Sequence, residues 1–143
     1  MTQIDFYAQA EDKLQTACRL VAKARSMGMR VTVFCPDREL ASRLDRLLWT
    51  VPATGFIPHC RPGDPLASLT PVLIDDEGDA QAHDEVLINL HSDRPAGFSR
   101  FQRLAEIVGV DEEDRSAARN RYKFYRDRGY SIRTHDLSPA ASR

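Results

Sequence analysis

The apolar positions of this chain change their spacing several times, and each change marks a predicted element. Gln3-Ile4-Asp5-Phe6-Tyr7 is a short run of strand type. From Asp12 to Met27 the positions Leu14, Ala17, Cys18, Val21 and Ala24 recur at helical spacing, and Gly28 supplies the stop. Arg30-Val31-Thr32-Val33-Phe34-Cys35 is a β-branched run ending at Pro36-Asp37. Asp37 is placed to cap a second helix carrying Leu40, Ala41, Leu44, Leu47 and Leu48. A strand-helix-strand-helix opening predicts a parallel sheet with helices packed on it.

Beyond Thr50 the spacing breaks down. Prolines at 52, 58, 62, 65 and 71 forbid a long helix and put this segment on an edge or in a loop. Val72-Leu73-Ile74 and Val86-Leu87-Ile88-Asn89-Leu90 then read as two more buried strands, separated by the polar turn Asp75-Asp76-Glu77-Gly78-Asp79. Phe98, Phe101, Leu104, Ala105 and Val108 follow helical spacing as far as Gly109 and predict a third helix. A last helix is predicted from Asp111. Its first turn is acidic (Glu112, Glu113, Asp114), its last turn is basic (Arg126, Arg128), and Gly129 sits at the stop, so both ends match the helix dipole.

Length and composition narrow this picture without changing it. A chain of 143 residues suffices for one core that buries roughly two-thirds of the unfolded surface. With 42% hydrophobic and 29% charged residues it buries enough apolar area to offset the entropy of ordering, which excludes bulk disorder. Residues 138–143 lack apolar periodicity and are expected to fray. A formal net charge of -1 argues against a protein that coats duplex DNA, so any nucleic-acid role is local or indirect. No apolar run approaches the roughly 18 residues of a membrane span, and the expected location is cytoplasmic. Cys18, Cys35 and Cys60 are odd in number and widely spaced, which suits reduced thiols.

Several chemistries are tested by the same pattern. The loop after the first strand, Ala8-Gln9-Ala10-Glu11-Asp12, is acidic and has no glycines to cradle a phosphate. Asp75 and Asp76 end an apolar strand as metal-binding acids do, yet without a phosphate loop they read as acids solvating a turn. His59, Cys60, His83, His91 and Cys35 lack the spacing of a zinc site. Cys35 at a strand end is either a nucleophile awaiting a histidine or a core residue. One alternative is therefore a small nucleotide- or cysteine-dependent enzyme using Asp75, Asp76 or Cys35.

Two further features carry large side chains in unusual company. Leu47-Leu48-Trp49 with Phe56-Ile57-Pro58-His59 fits either core or an interface. In the stretch Arg115 to Arg128, helical spacing brings Arg115, Arg119, Tyr122, Lys123 and Arg126 to one side, beside a stripe of Ala118, Tyr122 and Tyr125. Cations bordering aromatic surface suit single-stranded nucleic acid or an acidic peptide ending in an aromatic residue.

Leu44-Asp45 with Leu48-Trp49, then Phe56-Ile57-Pro58-His59, the strand Val86 to Leu90, and Ala118-Arg119-Asn120-Arg121-Tyr122-Lys123-Phe124-Tyr125-Arg126 occur in that order. Together they resemble the chi subunit family of bacterial DNA polymerase III holoenzyme over nearly the whole chain. The resemblance implies a single chi-like domain over 1–137, Rossmann-like, with an open, mostly parallel sheet flanked by helices and no nucleotide-binding loop. It also implies a non-catalytic adaptor of the clamp-loader assembly, without a cofactor. Members bind the acidic, phenylalanine-ended C-terminal tail of single-stranded DNA-binding protein, so contact with single-stranded DNA would be indirect. Carried over by motif, Arg119 would hold the terminal carboxylate and Arg115 and Lys123 would face the tail's acidic residues. Val108 and Tyr122 would line the pocket for the terminal ring, which is expected between two helices. Trp49, Phe56, Pro58 and His59 resemble the family's other surface, which binds the psi subunit and competes for an accessory helicase.

Overall fold

The computed structural model describes residues 1–50, 57–78 and 83–139. In chain order these form β1 (Gln3–Ala10), α1 (Lys13–Ser26), β2 (Val31–Phe34), α2 (Arg38–Thr50), β3 (His59–Cys60), β4 (Val72–Asp75), β5 (Val86–Asn89), β6 (Arg103–Gly109), α3 (Glu112–Asp127) and β7 (Ile132–Asp136). The strands make one open sheet in the order β3-β4-β2-β5-β6-β1-β7, and every pairing in it is parallel. The class is α/β, as the alternation of spacings predicts.

The helices begin and end where local chemistry directs. Asp12 caps α1 by accepting from the Gln15 amide, Asp37 accepts from the Glu39 and Leu40 amides at the start of α2, and Asp111 accepts from the Asp114 amide. Gly28 and Gly129 follow α1 and α3 with φ of 75° and 81°, the left-handed turn that residues with a Cβ adopt at a cost.

Alternation along the strands divides the core in two. Val31, Val33, Val72, Ile74, Val86 and Ile88 face α1 and α2, packing on Leu14, Val21, Leu44 and Leu48. On the other face Ile4, Phe6, Leu87, Leu104 and Val108 pack with Ala118 and Tyr125 of α3. Each fully buried aliphatic side chain in these layers stabilises the fold by about 1.5–3 kcal/mol relative to exposure.

The helix predicted from Phe98 to Val108 is not formed. Phe98–Arg100 is a single 3₁₀ turn, and the residues that follow are strand β6. Because β6 lies between β5 and β1 with a packed layer on each face, its side chains are buried on both sides and apolar residues follow one another without alternation. Such a run imitates a buried helix. Strand β7, which no apolar pattern marks, pairs only with β1 and forms the sheet edge, so most of its side chains stay exposed.

This topology also decides what happens at the usual ligand position. β1 and β6 are neighbours, but the chain leaves them toward opposite faces, to α1 and α3, which is where open parallel sheets leave a crevice. Here Lys13 Nζ lies 3.2 Å from Asp114 Oδ2 across that point, and the same oxygen accepts from the Gly109 amide. A Cβ on Gly109 would stand only 3.1 Å from Asp114. The crevice is filled by the protein's own charged pair.

Candidate functional site

Helix α3 has only Ala118, Arg121 and Tyr125 buried, too few apolar contacts for a stripe, and it docks through a polar network instead. Glu106 on β6 is fully buried; it accepts from Tyr125 Oη at 2.6 Å and from Asn89 Nδ2 at 2.7 Å. Arg121, 2% exposed, places Nε 3.1 Å from Glu106 Oε1 and donates from Nη1 to the Ser92 carbonyl. The Nε contact is a buried ion pair, and Nη2 is buried with no hydrogen-bond partner among the described residues. Burial pushes the Glu106 carboxyl upward, while the Arg121 charge and the donors from Tyr125 and Asn89 pull it back. Burial and the neighbouring Glu106 both raise the Tyr125 hydroxyl.

With Arg121 and Tyr125 turned inward, the flank toward β1 carries the residues singled out in the sequence. Arg119 Nη2 donates to Glu112 Oε1 at 2.7 Å, and Arg115 Nη1 lies 3.8 Å from Glu112 Oε2. The hydrogen bond from Arg119 and its charge hold the Glu112 carboxyl below its usual range. Lys123 is exposed on the same helix. Tyr122, 38% exposed, packs its ring 5.5 Å from that of buried Phe6. Val108, 4% exposed, shares the cluster of Phe6 and Ala118. Val108 belongs to strand β6 and not to a helix, so these side chains gather where α3 packs on β1 and β6 and not between two helices. Phe6, which the sequence marks only as part of the first strand, supports the Tyr122 ring.

The opposite flank of α3 is closed. Arg94 and Arg128 each stack 3.5 Å from the centre of the Phe124 ring, and the Phe98 ring meets that of Tyr125 edge-on at 5.1 Å. Of the three aromatics interleaved with cations in this helix, Tyr122 has the freest ring.

The second cluster lies at the end of α2 and the β3 edge. Trp49, 55% exposed, sets its ring 4.8 Å from that of His59. His59 is buried, with Nδ1 2.7 Å from the Ile57 carbonyl and Nε2 2.9 Å from Asp45 Oδ1. Pro58 is exposed. Phe56 lies outside the described residues. Trp49 and Pro58 thus present surface, and His59 supports it from below.

The groups proposed for enzyme chemistry are engaged in the fold. Cys35 is 1% exposed, and burial, reinforced by the Asp37 charge, pushes its thiol up to about 11, the direction that disfavours the reactive thiolate. Asp75 Oδ1 accepts from the Glu77 and Gly78 amides, and Asp76 pairs with Arg61 and Arg38. Among the described residues no group of three metal-ligating side chains forms, and no helix is long and apolar enough to cross a membrane.

The fold defines an open parallel α/β domain. The chain belongs to the chi subunit family of DNA polymerase III: the family model described as DNA polymerase III chi subunit, HolC, matches residues 1–133. It is similar to DNA polymerase III subunit chi of Pseudomonas aeruginosa, 37% identical over 96% of this chain and 98% of that protein. The protein of the same name from Escherichia coli is 31% identical over 84% of this chain and 82% of its own length. That from Haemophilus influenzae is 30% identical over 86% of both.

Proposed function

We propose that this chain is a non-catalytic adaptor of the polymerase III clamp-loader assembly that binds the acidic, phenylalanine-ended tail of single-stranded DNA-binding protein. The observation that carries the reading is the flank of α3, where the exposed guanidinium of Arg119 stands beside Glu112 and the half-open Tyr122 ring rests on Phe6. Arg119 would take the terminal carboxylate, since guanidinium and carboxylate match in geometry and charge. Arg115 and Lys123 would draw in the acidic residues upstream, and Tyr122, with Val108 beneath, would receive the terminal ring. A disordered tail loses entropy on docking and exposed charges are screened over about 8 Å, so the affinity is modest and salt-sensitive.

Trp49, Phe56, Pro58 and His59 are assigned to a second interface, for the psi subunit or an accessory helicase. Exposed Trp and Pro over a supported histidine suit an anchor in a partner's pocket. A pull-down from lysate with wild type, Arg119→Ala and Phe56→Ala tests both assignments. Arg119→Ala should lose single-stranded DNA-binding protein and keep the other partner, and Phe56→Ala should do the reverse. Loss of the same partners by both variants would overturn the division.

A further inference from the structure

Glu112 contacts the two arginines that the proposed function assigns to the tail's carboxylates. One of its oxygens accepts from Arg119 at 2.7 Å, and the other lies 3.8 Å from Arg115. The two arginines that would hold the tail's end are thus already turned toward an acid of their own helix. The arrangement is not the usual adjacent-turn pair, because Glu112 and Arg119 are seven residues apart, two turns along one face. Arg115, one turn from each, completes the set on that face.

The neighbouring acids behave differently. Glu113 forms no ion pair among the described residues. Asp114 is spent on Lys13 and the Gly109 amide, in the filled crevice of the sheet. Asp111 caps the helix. Of the four acids at the start of α3, Glu112 is the one that reaches the tail-binding cations.

We infer that Glu112 is a built-in competitor for the tail's carboxylate, which a ligand must displace before Arg119 and Arg115 can hold it. This rests on the reading of the flank as the tail pocket. The competitor lowers the net gain of tail binding, because one carboxylate replaces another on the same donors. The exchange favours ligands that bring more than one anchor: a terminal carboxylate, further acids for Lys123 and a ring for Tyr122. A lone carboxylate gains little over Glu112. The displacement cost falls equally on every ligand that uses these donors, so a lone carboxylate is left with negligible occupancy while a tail with several anchors still binds.

The test compares Glu112→Gln with Glu113→Gln, titrated by calorimetry with a synthetic acidic peptide ending in phenylalanine with a free carboxylate. Both variants remove one negative charge from the same turn, so a general change in the field would act on both alike. An exposed ion pair of this kind restrains its arginines weakly, so Glu112→Gln should tighten binding about two- to five-fold. Glu113→Gln should change it much less. In addition, Glu112→Gln should raise the affinity for the same peptide with an amidated C-terminus by a smaller factor than for the free acid. Equal tightening by both variants, or no tightening by Glu112→Gln, overturns the inference. If wild type binds the peptide, Arg119→Ala abolishes binding and Glu112→Gln leaves it unchanged, the pocket stands and only the competitor fails. If wild type does not bind the peptide at all, both fail.

Discussion

Two arginines of the same helix, Arg119 and Arg121, meet opposite fates. Arg121 is buried against Glu106, whose carboxylate also accepts from Tyr125 and Asn89, and joins α3 to the sheet. Arg119, two residues away, is exposed and, among the described residues, paired only with Glu112 of its own helix. The residue type is identical, so the difference lies in what the sheet offers beneath. β6 carries a buried carboxylate under Arg121, whereas the flank above β1 offers the ring of Phe6 and leaves the cations of that side to solvent. The inner arginine ties the helix to the sheet, and the outer one stays at the surface.

The largest effect should come from breaking the inner pair. Arg121→Met leaves the Glu106 carboxylate buried without its cation, and unfolding by urea should show a loss of about 3–5 kcal/mol. The double variant Arg121→Met with Glu106→Gln should recover much of that loss, because no charge is then left buried alone. If Arg121→Met proves as stable as wild type, the contrast between the two arginines is wrong.

Most of the contrast was hidden in the sequence for a physical reason. The strands β1, β2, β4 and β5 and all three helices are legible, since their periods, caps and stops agree with one another. β6 is not: Leu104, Ala105, Ile107 and Val108 surround Glu106, and a charged residue inside an apolar run reads as a solvent position on a helix. Only the partner residues Arg121, Tyr125 and Asn89, distant in sequence, make that glutamate an interior group. A lone acid in an otherwise buried run was the available signal. β7 is silent because an edge strand with one strand neighbour needs few apolar residues. The outer residues of α3 were legible because helical spacing alone places Arg115, Arg119 and Tyr122 on one side. What spacing could not supply was Phe6 under Tyr122, which requires the sheet.

A smaller effect sharpens the same division of polar groups into interior and surface. His83 is buried, with Nε2 2.9 Å from the Thr70 carbonyl and Nδ1 3.2 Å from Thr32 Oγ1. Burial holds its pKa below the ordinary 6.5. The unfolded chain therefore takes up a proton at a higher pH than the folded one, and stability rises with pH through that window. The contribution is present above about 6.5 and lost as pH falls below it. His83→Gln should flatten the dependence of urea stability on pH between about 5 and 7 relative to wild type. An unchanged slope would place the titration elsewhere.

The central claim is that the exposed arginine face of α3 holds the carboxylate end of an acidic tail. Calorimetric titration of wild type and Arg119→Ala with the phenylalanine-ended acidic peptide tests it most directly, with urea unfolding of each protein run alongside. The account predicts modest, salt-sensitive binding by wild type and a loss of about 2 kcal/mol or more in Arg119→Ala, with folding stability unchanged within about 0.5 kcal/mol. Wild-type affinity in Arg119→Ala would contradict it.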